Sequence, residues 1–130
     1  MSAAVARFRT DETSYSDRVL VASPGSWVYI AGQLALDADR HLIEGDVSAQ
    51  THRCLDRISD LVVGAGGNGL EDVVSITVYL LSLEDYPAFN EVRSERFGDH
   101  RPASAAVQVT GLLFEALIEI SAVAFVGTQQ

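Results

Sequence analysis

The segment HRPASAAVQVTGLLFEALIEISAVAFVG, residues 100–127, holds two strand-like runs, and the second of them decides how the chain folds. Strand side chains alternate with period two. In ALIEISAVAFV (116–126), Leu117, Glu119, Ser121 and Val123 therefore share one face and Ile118, Ile120, Ala122 and Ala124 the other. Both faces are mostly apolar, which predicts a central strand. A carboxylate in that setting is costly unless it is paired, hydrogen-bonded or turned into a wet cleft, and an acid in a cleft is a candidate functional group. Glu119 is thus the first candidate catalytic residue.

Outward from this segment the chain reads β-β-β-α-β-α-β-β. VARFR (5–9), RVLVA (18–22) and WVYIAG (27–32) predict an opening β meander, broken by TDETSYSD (10–17) and by the turn Ser23-Pro24-Gly25-Ser26. A polar loop spans residues 37–45. Asp46 is placed to cap a helix in which Val47, Cys54, Leu55, Ile58, Leu61 and Val62 recur on one face. GAGGNG (64–69) follows a helix and precedes a strand, so it reads as a C-cap and turn rather than a phosphate cradle. DVVSITVYLL (72–81) alternates as a strand rich in β-branched residues. A second helix opens near Glu84 and Asp85 with Pro87 in its first turn, carries Phe89, Val92, Arg93 and Phe97 along one stripe, and stops at Gly98. ASAAVQV (103–109) is the next strand. The order predicts one α+β domain over residues 1–130, a mixed β-sheet with two helices packed on one face and the other face left for partner subunits. Trp27 and Tyr29 are expected in the core or in that interface.

Composition narrows the function classes. The 130 residues carry net charge −9 and are 48 % hydrophobic, enough for one core without disulfides. Acidity disfavours nucleic acid, whose backbone is bound largely through Lys and Arg. All nine basic residues are arginine, so no lysine is available for Schiff-base chemistry or for pyridoxal phosphate. His41, His52 and His100 form no metal-type spacing with another strong ligand, and no metal or other cofactor is expected. No run is long enough for a membrane-spanning helix, and the first residues lack a signal-peptide core. Cys54 has no partner for a disulfide within the chain, which agrees with the expected cytoplasmic location.

Four segments in order, YIAGQLALD (29–37), GDVSAQTHRCLDRI (45–58), DVVSITVYLLSLEDYPAFNEV (72–92) and RPASAAVQV followed by LIEISAVA, resemble the Rid (YjgF/YER057c/UK114) family across nearly the whole chain. The resemblance implies a chorismate-mutase-like fold, a homotrimer, small-molecule clefts between subunits, and hydrolysis of reactive imines and enamines with release of ammonia. It also implies roles for particular residues. Glu119 matches a glutamate thought to position water or exchange protons with the ligand, and Ser121 replaces a second one. Ala31 and Gly32 match a Ser-Gly pair whose backbone lines the cleft. Asn90 matches a helix asparagine, and Tyr15 a tyrosine on the N-terminal segment that closes over the ligand. Ala106 stands where many members have cysteine.

One departure bears on activity. Imine-hydrolysing members read Pro-Ala-Arg-Ser-x-Val, whereas this chain reads Pro102-Ala103-Ser104-Ala105-Ala106-Val107, with Ser104 at the arginine position. A serine hydroxyl cannot imitate the bidentate grip of a guanidinium on a carboxylate. Arg101 lies an odd number of residues upstream, on the opposite face of a regular strand. The expected function is therefore acid/base chemistry (hydrolysis, tautomerisation, elimination or cyclisation) on a reactive imine, enamine or carbonyl intermediate without an α-carboxylate. A metabolite-binding or sensing trimer and an ordinary imine deaminase remain as alternatives.

Overall fold

The computed structural model describes residues 5–9 and 13–128. They form β1 (Val5–Phe8), β2 (Arg18–Val21), β3 (Gly25–Gln33), α1 (Val47–Gly64), β4 (Val73–Leu80), α2 (Tyr86–Phe97), β5 (Ala103–Gln108) and β6 (Ile118–Gly127). Four strands make one mixed sheet in the order β3-β6-β4-β5, with β4 and β5 parallel and the other pairs antiparallel. This is the expected α+β architecture, and β6 lies inside the sheet.

The alternation of β6 organises the core. Ile118, Ile120, Ala122 and Ala124 are buried together with Ile76, Val78 and Leu80 of β4, and with Cys54, Leu55, Ile58 and Val62 of α1 and Phe89, Val92 and Phe97 of α2. Each large apolar side chain so buried stabilises the fold by roughly 1.5–3 kcal/mol. Helix α1 starts where Asp46 accepts a hydrogen bond from the Ala49 amide at 3.0 Å. It ends in the glycine run, where Gly66 takes a φ of 95° that disfavours other residues. Among the described residues no helix covers the opposite sheet face, and there Trp27 is 51 % and Tyr29 78 % exposed. Neither packs in the core of the chain. No helix among the described residues is long and apolar enough to cross a membrane.

Two expectations are corrected. The opening strands are not one meander: β1 and β2 pair with each other as a separate two-stranded sheet, while β3 pairs with β6. The hairpin is held by Arg7, whose guanidinium donates to the carbonyls of Glu71 at 3.0 Å and Arg101 at 3.1 Å. Its connection runs along β5, where the Ser16 amide donates to the Pro102 carbonyl at 2.9 Å. Part of the TDETSYSD separator, residues 10–12, lies outside the described residues. Leu61, assigned to the buried face of α1, is 47 % exposed. It falls on the flank of the apolar stripe, beside Arg57 and Gln33, and Thr51 and Gln50 are buried on that helix instead.

Burial pushes the Cys54 thiol up to about 12, with Glu119 adding to the effect and Arg57 opposing it. The folded chain therefore keeps a proton that the unfolded chain releases, and stability falls as pH rises above the ordinary thiol range. Between about pH 9 and 12, Cys54 should contribute a loss of up to about 1.4 kcal/mol per pH unit. Chemical denaturation across that window should show a shallower decline in Cys54→Ala; equal slopes would contradict this.

Candidate functional site

Glu119 leaves β6 on the face opposite Ile118 and Ile120 and is half-buried. Its carboxylate lies across Gly32 of β3: a Cβ built there would meet Glu119 Oε2 at 2.1 Å. Glycine at 32 leaves room for the carboxylate in this position, and any larger residue would have to displace the flexible end of Glu119. The register between β3 and β6 slips between Ile30 and Gln33, which places Gly32 in the irregular stretch. Glu119 lines a cavity of about 280 Å³ with Gly32, Gln33, Arg40, Arg57 and Phe114. Two of these neighbours adopt left-handed backbone, Arg40 at φ 63° and Phe114 at φ 62°. Among the described residues no group hydrogen-bonds the Glu119 carboxylate, so its oxygens are free to meet a ligand or water. Ala31 and Ser121 line a neighbouring depression of about 310 Å³ on the open sheet face, with Tyr29, Ser75, Thr77 and Val123.

A second group of side chains gathers around Arg93, which the sequence places simply on the buried stripe of α2. Arg93 is 1 % exposed. Its Nε donates to Ser14 Oγ at 2.7 Å, Nη1 to Ser104 Oγ at 2.8 Å, and Nη2 to both Tyr86 Oη at 2.7 Å and Asn90 Oδ1 at 2.8 Å. Ser14 Oγ in turn donates to Asn90 Oδ1 at 2.5 Å. The guanidinium carbon sits 4.7 Å from the ring centre of Phe89, 5.1 Å from Tyr15 and 5.5 Å from Tyr86, a cation–π arrangement on three sides. Burial lowers the guanidinium from its ordinary range, and the bond to Tyr86 pulls it back up. Ser104 thus does not leave its surroundings without a guanidinium: one arrives from α2. Arg101 does not take that part. Its side chain donates to the carbonyls of Gly98 and Thr13.

These groups lie on opposite faces of the sheet. Ser104 pairs with Ile76, which pairs with Ala122, so Ser104 points to the helix side. Glu119 is three residues along β6 from Ala122 and points the other way. Two strand spacings and three residues separate their Cα atoms by roughly 14 Å. Ala106, two residues after Ser104, turns to the helix side and packs partly on the core. One chain therefore brings Tyr15, Asn90 and Ser104 together and, apart from them, Gly32 with Glu119; Ala31 and Ser121 lie beside the latter pair. Among the described residues no three His, Cys, Asp or Glu side chains gather as metal ligands.

The sequence model of the family described as Endoribonuclease L-PSP matches residues 8–126. The chain belongs to the Rid (YjgF/YER057c/UK114) family. A RutC family protein of Pyrococcus abyssi is 39 % identical over 112 residues, covering 85 % of each chain. The 3-aminoacrylate deaminase RutC of Acinetobacter baylyi is 42 % identical over 100 residues, 76 % of this chain and 79 % of that one. Among solved structures, RidA from an Antarctic Psychrobacter is 34 % identical with TM-score 0.73, covering 93 % of this chain and 94 % of the other. E. coli TdcF with bound serine is 30 % identical with TM-score 0.72, covering 85 % and 87 %.

For this Rid protein, the close approach of Glu119 to Gly32 gives a direct test of the first group. In a crystal structure of Gly32→Ala, the Glu119 carboxylate should have swung away from β3. An unmoved carboxylate beside a displaced strand would show that the side chain, not the backbone, is the fixed element.

Proposed function

We propose that the chain is a cofactor-independent cytoplasmic enzyme that hydrolyses a small, reactive imine or enamine, with the two groups of residues completed into one cleft by a second copy in a homotrimer. The observation that carries this reading is Glu119: a half-buried carboxylate lying over a glycine and lining a cavity, in a chain of the same family as a protein named 3-aminoacrylate deaminase. Hydrolysis of an imine adds water across C=N and then expels ammonia, leaving a carbonyl. Both protons of the water end on nitrogen, the first as the oxygen attacks carbon and the second as the carbinolamine collapses and its C–N bond breaks, and a single carboxylate can take each from oxygen as base and deliver it to nitrogen as acid. Charge developing in the addition step falls to the irregular Ala31–Gly32 backbone and to Arg40 and Arg57, which line the same cavity.

Division of the candidate residues between sheet faces supports the oligomeric part of this reading. A sheet with one uncovered face that holds Trp27, Tyr29 and the Glu119 group is suited to meet another copy, and a heterologous ring contact would set the Glu119 group of one subunit against the Ser104 group of the next. The endoribonuclease in the family description is not adopted, because net charge −9 opposes binding to a polyanion. A relative solved with bound serine favours a second reading in which the cleft holds a metabolite without turning it over.

Glu119→Gln separates the two. Ammonia release from 2-iminopropionate generated in situ should fall by about 100-fold or more, with the thermal midpoint little changed. Full activity in the variant would refute the role given to Glu119. Ligand-dependent stabilisation without ammonia release from the natural protein would favour the binding reading.

A further inference from the structure

Beside the Glu119 cavity lies a second one of about 190 Å³, walled by Gln33, Arg53, Arg57, Asp60 and Leu61. Gln33 and Arg57 line both cavities, so the second continues the first past β3 and along α1. Arg53 and Arg57 stand one helical turn apart, a spacing at which like charges destabilise a helix. Each is half-buried and anchored by a single bond to the chain that follows β3: Arg53 Nε donates to the Leu36 carbonyl at 2.7 Å, and Arg57 Nη1 to the Leu34 carbonyl at 2.9 Å. A guanidinium carries five N–H groups, so both keep donors that no described group accepts. Neither pairs with a carboxylate among the described residues, where Arg96 and Asp56 form the ion pair. The Asp37 carboxyl is held below its ordinary range chiefly by the His41 amide, with Arg53 adding to the effect, and its Oδ1 is occupied by the amides of Asp39 and His41. Leu61, 47 % exposed, gives the second cavity one apolar wall.

We propose that the second cavity is a subsite for a distal carboxylate of the substrate, held by Arg53 and Arg57 while the reacting carbon lies at Glu119. The reacting end rests on the imine or enamine hydrolysis proposed above, but the subsite stands on the two anchored guanidiniums. Backbone carbonyls fix each planar fork before a ligand arrives, so less side-chain freedom is lost when a carboxylate docks on it. Asp60 on the same wall and Glu119 in the adjoining cavity repel a dianion more than a single charge, which favours a carboxylate over a phosphate. Leu61 then meets the methylene carbons between the two ends of the ligand, a use for a leucine that the core of α1 leaves exposed. Arg40 lines only the first cavity of the two and stays with the reacting end.

The test compares the imines generated in situ from glutamate and from glutamine, which share an α-carboxylate and a shape and differ in a distal carboxylate against a carboxamide. The natural protein should favour the glutamate imine in kcat/KM by about 10-fold or more, as expected for charge-assisted hydrogen bonds. Arg53→Gln should bring that ratio toward unity, chiefly through KM for the glutamate imine, and Arg53→Lys should keep part of the preference. Asp60→Asn, an exposed change that removes the repelling charge, should raise the ratio. A ratio near unity in the natural protein, or one that neither Arg53→Gln lowers nor Asp60→Asn raises, would overturn the subsite while leaving the hydrolysis reading in place. If neither imine is hydrolysed while 2-iminopropionate is also left intact, the hydrolysis reading fails, and thermal shift with 2-oxoglutarate against 2-oxoglutaramate decides the subsite. Stabilisation confined to 2-oxoglutarate and lost in Arg53→Gln supports it, and equal shifts by the two compounds overturn it.

Discussion

Period-two alternation along β6 is the constraint on which the rest of the molecule depends. Ile118, Ile120, Ala122 and Ala124 commit one sheet face to α1 and α2, and the same geometry obliges Glu119, Ser121 and Val123 to face away from that core. A register shift of one residue would exchange the two sets, burying a carboxylate against Phe89 and Leu55. Hydrophobic burial thus fixes the position of the candidate acid as a consequence of packing, before any ligand is considered. Gly32 completes the arrangement by leaving room on β3 for the side chain that β6 delivers.

Arg93 plays the matching part on the helix side. It ties the N-terminal connection through Ser14 and Tyr15 to α2 through Asn90 and Tyr86, and both to β5 through Ser104. Such a network is strong when every member is satisfied and costly when one is removed. It also explains why a short, mostly exposed hairpin can sit at the end of the sheet: β1 is anchored by Arg7, and the connection that follows it by Ser16 and Arg93, rather than by apolar packing of their own.

Much of this was legible in the sequence because it follows from local periodicity. The alternation of β4 and β6, the Asp46 cap, the glycine stop after α1 and the stripe of α2 all depend on residues within a few positions of one another. What stayed hidden depends on chain segments meeting at long range. β3 pairs with β6, far along the chain, in place of the adjacent β2, and local pattern carries no information on that choice. Arg93 could be placed on a buried stripe, yet its partners Ser14 and Ser104 belong to other segments of the chain. A signal was available: an arginine on the apolar stripe of a helix needs polar partners, and the serine at 104 had left space for a guanidinium. Leu61 was misplaced because a stripe assigned by spacing has edges that only the neighbouring strand defines.

The central claim is that one chain carries two halves of a site, the Glu119 group on the open face and the Ser104 group on the helix side, and that a functional cleft needs two copies. Its most direct test is subunit mixing: Glu119→Gln and Arg93→Gln proteins, each expected to lose most of its activity alone, are co-refolded and assayed for ammonia release. A split site predicts recovery to about a quarter of natural activity, the share of contacts in a statistical ring that join two intact halves. Activity no higher than that of the parents, in mixed oligomers verified by native mass spectrometry, would contradict the account.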